Sequence, residues 1–232
     1  MRVTQKALDY LNRDFLSNCS LIQVINRKSG EIIKADSQGV LLYDCLGEAH
    51  MLSARYNENT RKWFDNLDCD LIQLVGGDFV SWLMKRFNLN HAMECIQYVY
   101  TGQKPPEYEK RLEISFPTDE EMYVIRKNYD KLSDEELWKI RDTGNLYAAR
   151  DGNNNFVGFV GSHLEGSMGL LGVLPEYQRK GYGHELECFI IGRFLEKGLI
   201  PYGQVVSGNE RSENLQSKLK LTKASSIVYW LY

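Results

Sequence analysis

Two short stretches of this chain bring together residue types that can do chemistry. The first is QRKGYGHE, residues 178–185, where Gly181 and Gly183 stand two apart beside a basic pair, Arg179 and Lys180. Backbone without Cβ atoms lets a ligand approach closely. Where such a loop runs from a strand into a helix, its N–H groups converge and the helix dipole adds partial positive charge. That chemistry is phosphate binding, with the two cations at the rim. The plainer alternative is a tight turn carrying a solvated basic pair. Neither familiar phosphate loop fits, because there is no G-x-x-x-x-G-K-[ST] and the G-x-G lacks the third glycine of the dinucleotide fingerprint. The second stretch is SHLEGS, residues 162–167, which offers His163 and Glu165 as proton acceptors. Its plainer alternative is a solvated turn carboxylate and a hydrogen-bonded histidine at a strand end.

The elements that must position these residues can be read from the surrounding pattern. Before the hinge, Met168–Leu174 is an apolar run that reads as a strand; after it, Leu186, Phe189, Ile190 and Phe194 recur at helical spacing up to Gly198, a C-cap residue. Leu146–Arg150 and Phe156–Ser162 flank DGNNN, which favours a hairpin, and a turn at Glu165–Gly166 adds a third antiparallel strand. Upstream, Leu112–Phe116 alternates as a strand, and Thr118 with Glu121 and Ser133 with Glu136 fit the capping box of two short helices. Downstream, Tyr202–Val206 reads as a strand, Glu210–Lys220 as a helix that starts just after the polar hinge residue Asn209, and Ser226–Tyr232 as a final strand. His184 and Glu185, next to Gly183, are expected only to begin the helix after the loop.

The first half is less regular. Ala7, Leu8, Leu11 and Phe15 predict an amphipathic helix, Leu21–Ile25 and Val40–Tyr43 predict strands, Asp78 is placed to cap a helix over FVSWLMKRF, and Cys95–Tyr100 predicts a strand. No motif in this half points to chemistry. TGQKPPEY, residues 101–108, strips backbone donors with two adjacent prolines, so the expected domains are 1–105 and 106–232, both of mixed α/β class.

Composition narrows the function classes. The 232 residues are 43% hydrophobic and 25% charged with a net charge of −3, which supports a packed core and gives no general attraction to nucleic acid or an anionic membrane. The five cysteines, Cys19, Cys45, Cys69, Cys95 and Cys188, are scattered without a C-x-x-C pair, so they read as reduced thiols and no metal site is expected. The N-terminal MRVTQKALDYLNRDF has no apolar signal core, and no segment approaches the ~18 apolar residues of a membrane helix. A cytoplasmic protein with a small-molecule partner is the expectation.

Gln178-x-x-Gly181-x-Gly183 between a strand and a helix, together with the order of the other elements, resembles the acyl-CoA motif of the GNAT acetyltransferase superfamily over about Leu112 to Tyr232. The resemblance implies acetyl-CoA or another acyl-CoA as cosubstrate, with LLGVLP pairing with the pantetheine arm and the loop Gln178, Arg179, Lys180, Gly181, Tyr182 and Gly183 holding the pyrophosphate. It further implies that YGQVV splays away to admit the thioester and that Asn209 lies near the pantetheine. LPEYQRKGYG with GLIPYGQVVSGNERSENLQ is similar to the glycine N-acyltransferase branch, which implies that residues 1–105 form a degenerate GNAT-like unit.

Acyl transfer to the amine of a small molecule then needs a base and oxyanion donors. Backbone N–H groups at Leu171, Gly172 and Val173 are candidates for the donors, with Gly172 marking either a bulge or a packing accommodation. Glu165 is the expected base, with His163 as second candidate; in an ungapped alignment with the branch the glutamate position falls on Ser167. The tyrosine common in the last helix of the family falls on Gln216, which cannot act as an acid, leaving Tyr202, water or an unassisted thiolate. An acyl-CoA-binding module without turnover and a protein lysine acetyltransferase are the competing functions.

Overall fold

The computed structural model describes residues 2–232. Helices α1 (Arg2–Leu11) and α2 (Phe15–Arg27) open the chain. Leu21–Ile25, expected as a strand, lies inside α2. A short apolar run fits a buried helix as well as a strand, and here Asp14 decides the matter by accepting from the Ser17 N–H at the helix start. Strands β1 (Gly30–Asp36), β2 (Gly39–Asp44) and β3 (Ala49–Ala54) form an antiparallel meander. The short helix α3 (Glu58–Arg61), strand β4 (Ile72–Val75), helix α4 (Val80–Phe87) and strand β5 (Ala92–Val99) complete the first half. Asp78 does not cap α4. Phe79 holds the N-cap position without a side-chain bond and is buried instead as an aromatic anchor.

Residues 101–112 carry no helix or strand. The second half then runs β6 (Glu113–Ser115), α5 (Asp119–Asn128), α6 (Asp134–Asp142), β7 (Leu146–Arg150), β8 (Phe156–Ser162), β9 (Met168–Val173), α7 (Tyr182–Glu196), β10 (Tyr202–Val206), α8 (Glu210–Lys218) and β11 (Thr222–Leu231). Both expected capping boxes form: Thr118 and Ser133 each accept from an N3 backbone N–H, while Glu121 and Glu136 reach back to the cap.

Among the described residues all eleven strands belong to one mixed sheet in the order β1-β2-β3-β4-β11-β5-β10-β9-β8-β7-β6. The two halves exchange their last strands. β5 pairs with β10 and β11, both from the second half, and β11 pairs with β4 and β5, both from the first. Around this exchange, and apart from the additional edge strand β6 in the second half, the halves share one order of elements: two helices, a three-strand meander, a helix, a fourth strand parallel to the third, a helix and a last strand. Helices α7 and α8 bury one face of the second half through Leu186, Ile190, Phe194 and Leu215, and α5 and α6 cover the other through Met122, Ile125, Leu137 and Ile140. Helix α2 docks on the central strands partly through polar groups. The buried Gln97 amide donates to the Leu16 and Ser17 carbonyls at 2.6 and 3.0 Å and accepts from Gln204 at 3.1 Å. Losing such partners in the sheet centre costs about 1–3 kcal/mol per orphaned group.

Candidate functional site

The site begins where the sheet stops pairing. β9 and β10 run parallel and share a single residue pair among the described residues, Gly203 with Met168 at the start of each strand. From there they diverge, so main-chain groups along one edge of β9, through Leu171, Gly172 and Val173, lack a strand partner in β10. On its other edge β9 carries a bulge. The register with β8 passes from Phe159–Gly172 to Gly161–Gly169, and Leu170 takes φ 51°. A leucine in the left-handed region costs about 1–2 kcal/mol. The bulge therefore falls at Leu170, not at Gly172. Gly172 serves packing: a Cβ there would lie 2.3 Å from Phe159 Cζ, so the missing side chain makes room for that ring. The sequence carries no sign of a positive-φ leucine.

β9 ends in one 3-10 turn, Pro175–Tyr177, and the loop comes next. The Gln178 amide donates to the Val173 carbonyl at 2.9 Å, tying loop to strand. Arg179 sits at φ 62° and Gly181 at φ 84°, where Gly181 is the N-cap of α7. Since glycine offers no capping side chain, the first N–H groups of α7 are left for another acceptor. Gly183 lies in the first turn, and the nearest atom to a Cβ there would be Val173 Cγ2 at 4.0 Å. The protein leaves that space open. Lys180 lies over the Tyr177 ring at 5.1 Å.

Two residues that the spacing of the motif does not single out brace this loop. Arg111 Nη1 donates to the Lys180 carbonyl at 2.9 Å, and its guanidinium stacks on Tyr182 at 4.9 Å. Glu185, buried in the first turn of α7, accepts from the Arg111 and Leu112 N–H groups at 2.8 Å each. Its role exceeds the helix-starting one expected of it, and local sequence hides this because its partners lie more than seventy residues away. Asn209 is the N-cap of α8, its side chain accepting from the Ser212 N–H at 3.2 Å.

The SHLEGS turn stands at the other end of β9, where β9 and β10 meet. The six residues of that strand separate it from the loop by roughly 17 Å of strand rise. The buried Ser167 hydroxyl donates to the Glu165 carboxylate, so the two residues that compete for one position in the alignment are partners in space. The His163 ring lies on Gly169, where a Cβ would come 2.5 Å from Nε2. Both halves surround Glu165. A Cβ on Gly47, in the β2–β3 turn, would lie 2.9 Å from the Glu165 Cβ. From the second half, the Tyr129 hydroxyl is pushed up to about 12, by burial first and by the Glu165 charge second.

Gln216 is buried on α8 and donates to the Glu187 carboxylate of α7 at 3.1 Å. Burial pushes Glu187 up to about 7 against the opposing effect of that bond. Tyr202, expected as an alternative acid, is fully buried beside Cys19 and Val99. Burial raises its hydroxyl well above the usual range, so it holds its proton and supports the core.

Among the described residues no helix is long and apolar enough to cross a membrane. No curated protein matches this chain in sequence. Its fold is similar to that of a Drosophila protein solved by X-ray crystallography, at TM-score 0.67 and 13% identity over 98% of this chain and 95% of that one. It is also similar to a GNAT-family protein from Novosphingobium aromaticivorans, at TM-score 0.57 and 15% identity over 91% and 93% of the two chains. A GCN5-related N-acetyltransferase from Kribbella flavida is similar at TM-score 0.52 and 13% identity over 93% of each chain. At these identities the likeness is one of fold, and it spans both halves. Residues 106–219, which hold the parted strands and the glycine loop, match the acetyltransferase (GNAT) family.

Proposed function

We propose that this protein transfers an acetyl or short acyl group from acyl-CoA to the amine of a small molecule by direct attack. The observation that carries the reading is the parting of β9 and β10 beside a helix N-terminus that no side chain caps. The loop fits a pyrophosphate, since Gly181 takes a φ that glycine favours and a Cβ on Gly183 would fill the open space. Loop amides from Gln178 to Gly183, with Arg179 and Lys180 at the rim, hold the phosphates. The unpaired edge of β9 at Leu171, Gly172 and Val173 binds the pantetheine arm and supplies N–H donors for the carbonyl oxygen, and Asn209 closes the far side. Acyl-CoA supplies the activated carbonyl as a thioester.

Glu165, oriented by the Ser167 hydroxyl, takes a proton from the acceptor's ammonium so that the free amine attacks the thioester carbonyl, while His163 is held against Gly169. Gln216 has no proton to give, so the thiolate, whose parent thiol has a pKa of about 8.5, leaves to be protonated by water. The first half, built on the same order of elements without a glycine loop, is read as a degenerate GNAT-like unit. Its β2–β3 turn completes the surroundings of Glu165. The five free cysteines favour the cytoplasm as the site of action.

Thiol release from acetyl-CoA, measured with a panel of amines from pH 6 to 9, tests this reading. An amine-dependent steady rate is expected. Glu165→Gln is expected to lower kcat by about 10² to 10⁴ with unchanged acyl-CoA affinity and partial recovery at high pH, where free amine is abundant. Binding of acyl-CoA without thiol release for any amine would refute turnover, and an undiminished Glu165→Gln would remove Glu165 from the base role.

A further inference from the structure

At the junction of the two halves, away from the glycine loop, lies a small cavity of about 40 Å³. Its wall brings together Arg27 from the end of α2, and Arg193 and Lys197 from the end of α7, with Tyr147 and Ser162 from strands and Asn145 from the turn before β7. No carboxylate lines it among the described residues. Two of the cations are left short of acceptors. Arg27 Nη2 donates to the Leu164 carbonyl at 3.1 Å, but Nη1 is buried without a partner; Arg193 Nη1 binds Glu196 at 2.5 Å and its guanidinium also lies against the Tyr147 hydroxyl, but Nε is buried without a partner. Lys197 donates to the Asn145 side-chain oxygen at 3.0 Å, which uses the acceptor of that amide.

The last turn of α7 accounts for Arg193 and Lys197, since cations there offset the C-terminal end of the helix dipole. It does not account for Arg27. That residue comes from the other half of the chain and adds a third positive charge where two already stand. Glu196 offsets part of the charge of Arg193, and Asp44 part of that of Arg27, but each buried N–H left unbonded costs about 1–3 kcal/mol, so the two orphaned N–H groups call for an acceptor between them. The volume exceeds the roughly 10–15 Å³ that one water needs and suits a group of a few heavy atoms.

We infer that the cavity between Arg27, Arg193 and Lys197 is a binding site for a small anion, a carboxylate or one face of a phosphate, separate from the acyl-CoA cleft. The anion accepts from Arg27 Nη1 and Arg193 Nε and lies against the Lys197 ammonium, with the Ser162 and Tyr147 hydroxyls as further donors. Because Arg27 also holds the Leu164 carbonyl, the bound anion ties the end of α2 to the turn that carries Glu165.

The test is thermal unfolding of the full chain titrated with sodium acetate and, separately, sodium phosphate. Ionic strength is held constant with sodium chloride, whose single atom cannot bridge the two guanidinium groups as a pair of oxygens does. A saturable rise in Tm with acetate or phosphate is expected, since a ligand of the native state stabilises it by mass action. Saturation by acetate alone assigns a carboxylate, and saturation by phosphate assigns a phosphate. Arg27→Met and Lys197→Met are each expected to weaken the apparent affinity at least tenfold; Lys197 is exposed, so its variant folds even if Arg27→Met does not. No saturable shift with either salt, or the same affinity in Lys197→Met, overturns the assignment.

Discussion

The sheet contains two parallel strand pairs at matching places in the two halves, and they are built differently. β3 and β4 are zipped over three residue pairs, His50–Ile72, Met51–Gln73 and Leu52–Leu74, whereas β9 and β10 meet once and part. The connections that leave β3 and β9 differ in the same sense. After β3, Asn57 and Thr60 form a capping box that consumes the free N–H groups of a four-residue helix. After β9, Gly181 opens a fifteen-residue helix with no capping side chain. In the first half the backbone satisfies itself; in the second, polar main chain is left facing a gap. One architecture thus gives a structural unit and a binding unit, and the difference lies in which hydrogen bonds the chain makes to itself.

The exchange of last strands sets how far this comparison can be pushed. Val228, fully buried on β11, pairs with Val75 of β4 and Cys95 of β5, so a proline there removes a central donor from the first half's sheet. Such a change removes a ladder hydrogen bond and leaves its buried acceptor unpaired, at about 1–3 kcal/mol before any steric cost of the ring, and Val228→Pro is expected to unfold the whole chain in one transition by circular dichroism. Survival of acyl-CoA binding in this variant would mean that the second half stands without the first.

A smaller effect sharpens the contrast between the two glycine-bearing connections. Gly183→Val meets open space within the protein, so its Tm is expected to stay within a few degrees of the parent while acyl-CoA affinity by calorimetry falls about a hundredfold. Gly76, after β4 in the first half, takes φ 84° with nothing within 4 Å of its missing Cβ. Gly76→Ala is expected to cost about 1 kcal/mol of stability for its conformation and to leave that affinity unchanged. If Gly183→Val binds acyl-CoA as tightly as the parent, the loop is not the phosphate site.

Most of the second half is legible in the sequence because its signals are local. Capping boxes, the DGNNN hairpin and the apolar stripe of α7 each act within a few residues. The glycine loop is legible for the same reason. The features that spacing hides depend on contacts across the fold. Leu21–Ile25 reads as a strand until its helical neighbours are known, and Asp78 stands one residue too early to cap. The leucine bulge, the grip of Glu185 on Arg111 and the exchange of β5 and β11 leave no trace in spacing. Glu165 and Ser167 are separable in sequence only as rival registers, whereas the turn makes them one hydrogen-bonded pair.

A pH-dependent effect concerns two buried carboxyl groups, one in each half. Asp44 in the first half is raised by burial but accepts from the Ser29 hydroxyl at 3.0 Å and from the Leu46 and Gly47 N–H groups at 3.4 and 3.0 Å. Glu187 in the second half has Gln216 alone and is pushed from 4.5 up to about 7. A carboxyl raised in the folded state loses its proton first in the unfolded chain. Below pH 4.5 both states are protonated and the group is neutral to folding. As pH rises from 4.5 to about 7 the unfolded chain ionises while the folded one does not, and stability falls by about 3 kcal/mol before levelling off. Glu187→Gln keeps the shape and a partner for Gln216 without the ionisation. It is therefore expected to match the parent near pH 4.5 and to gain about 1–3 kcal/mol at about pH 8 in urea unfolding. Asp44→Asn, which turns an acceptor of three donors into a half-acceptor, is expected to destabilise at the same alkaline pH. A Glu187→Gln variant that gains nothing there would show that Glu187 ionises in the fold as it does in water, and that the α7–α8 contact is wetter than its burial implies.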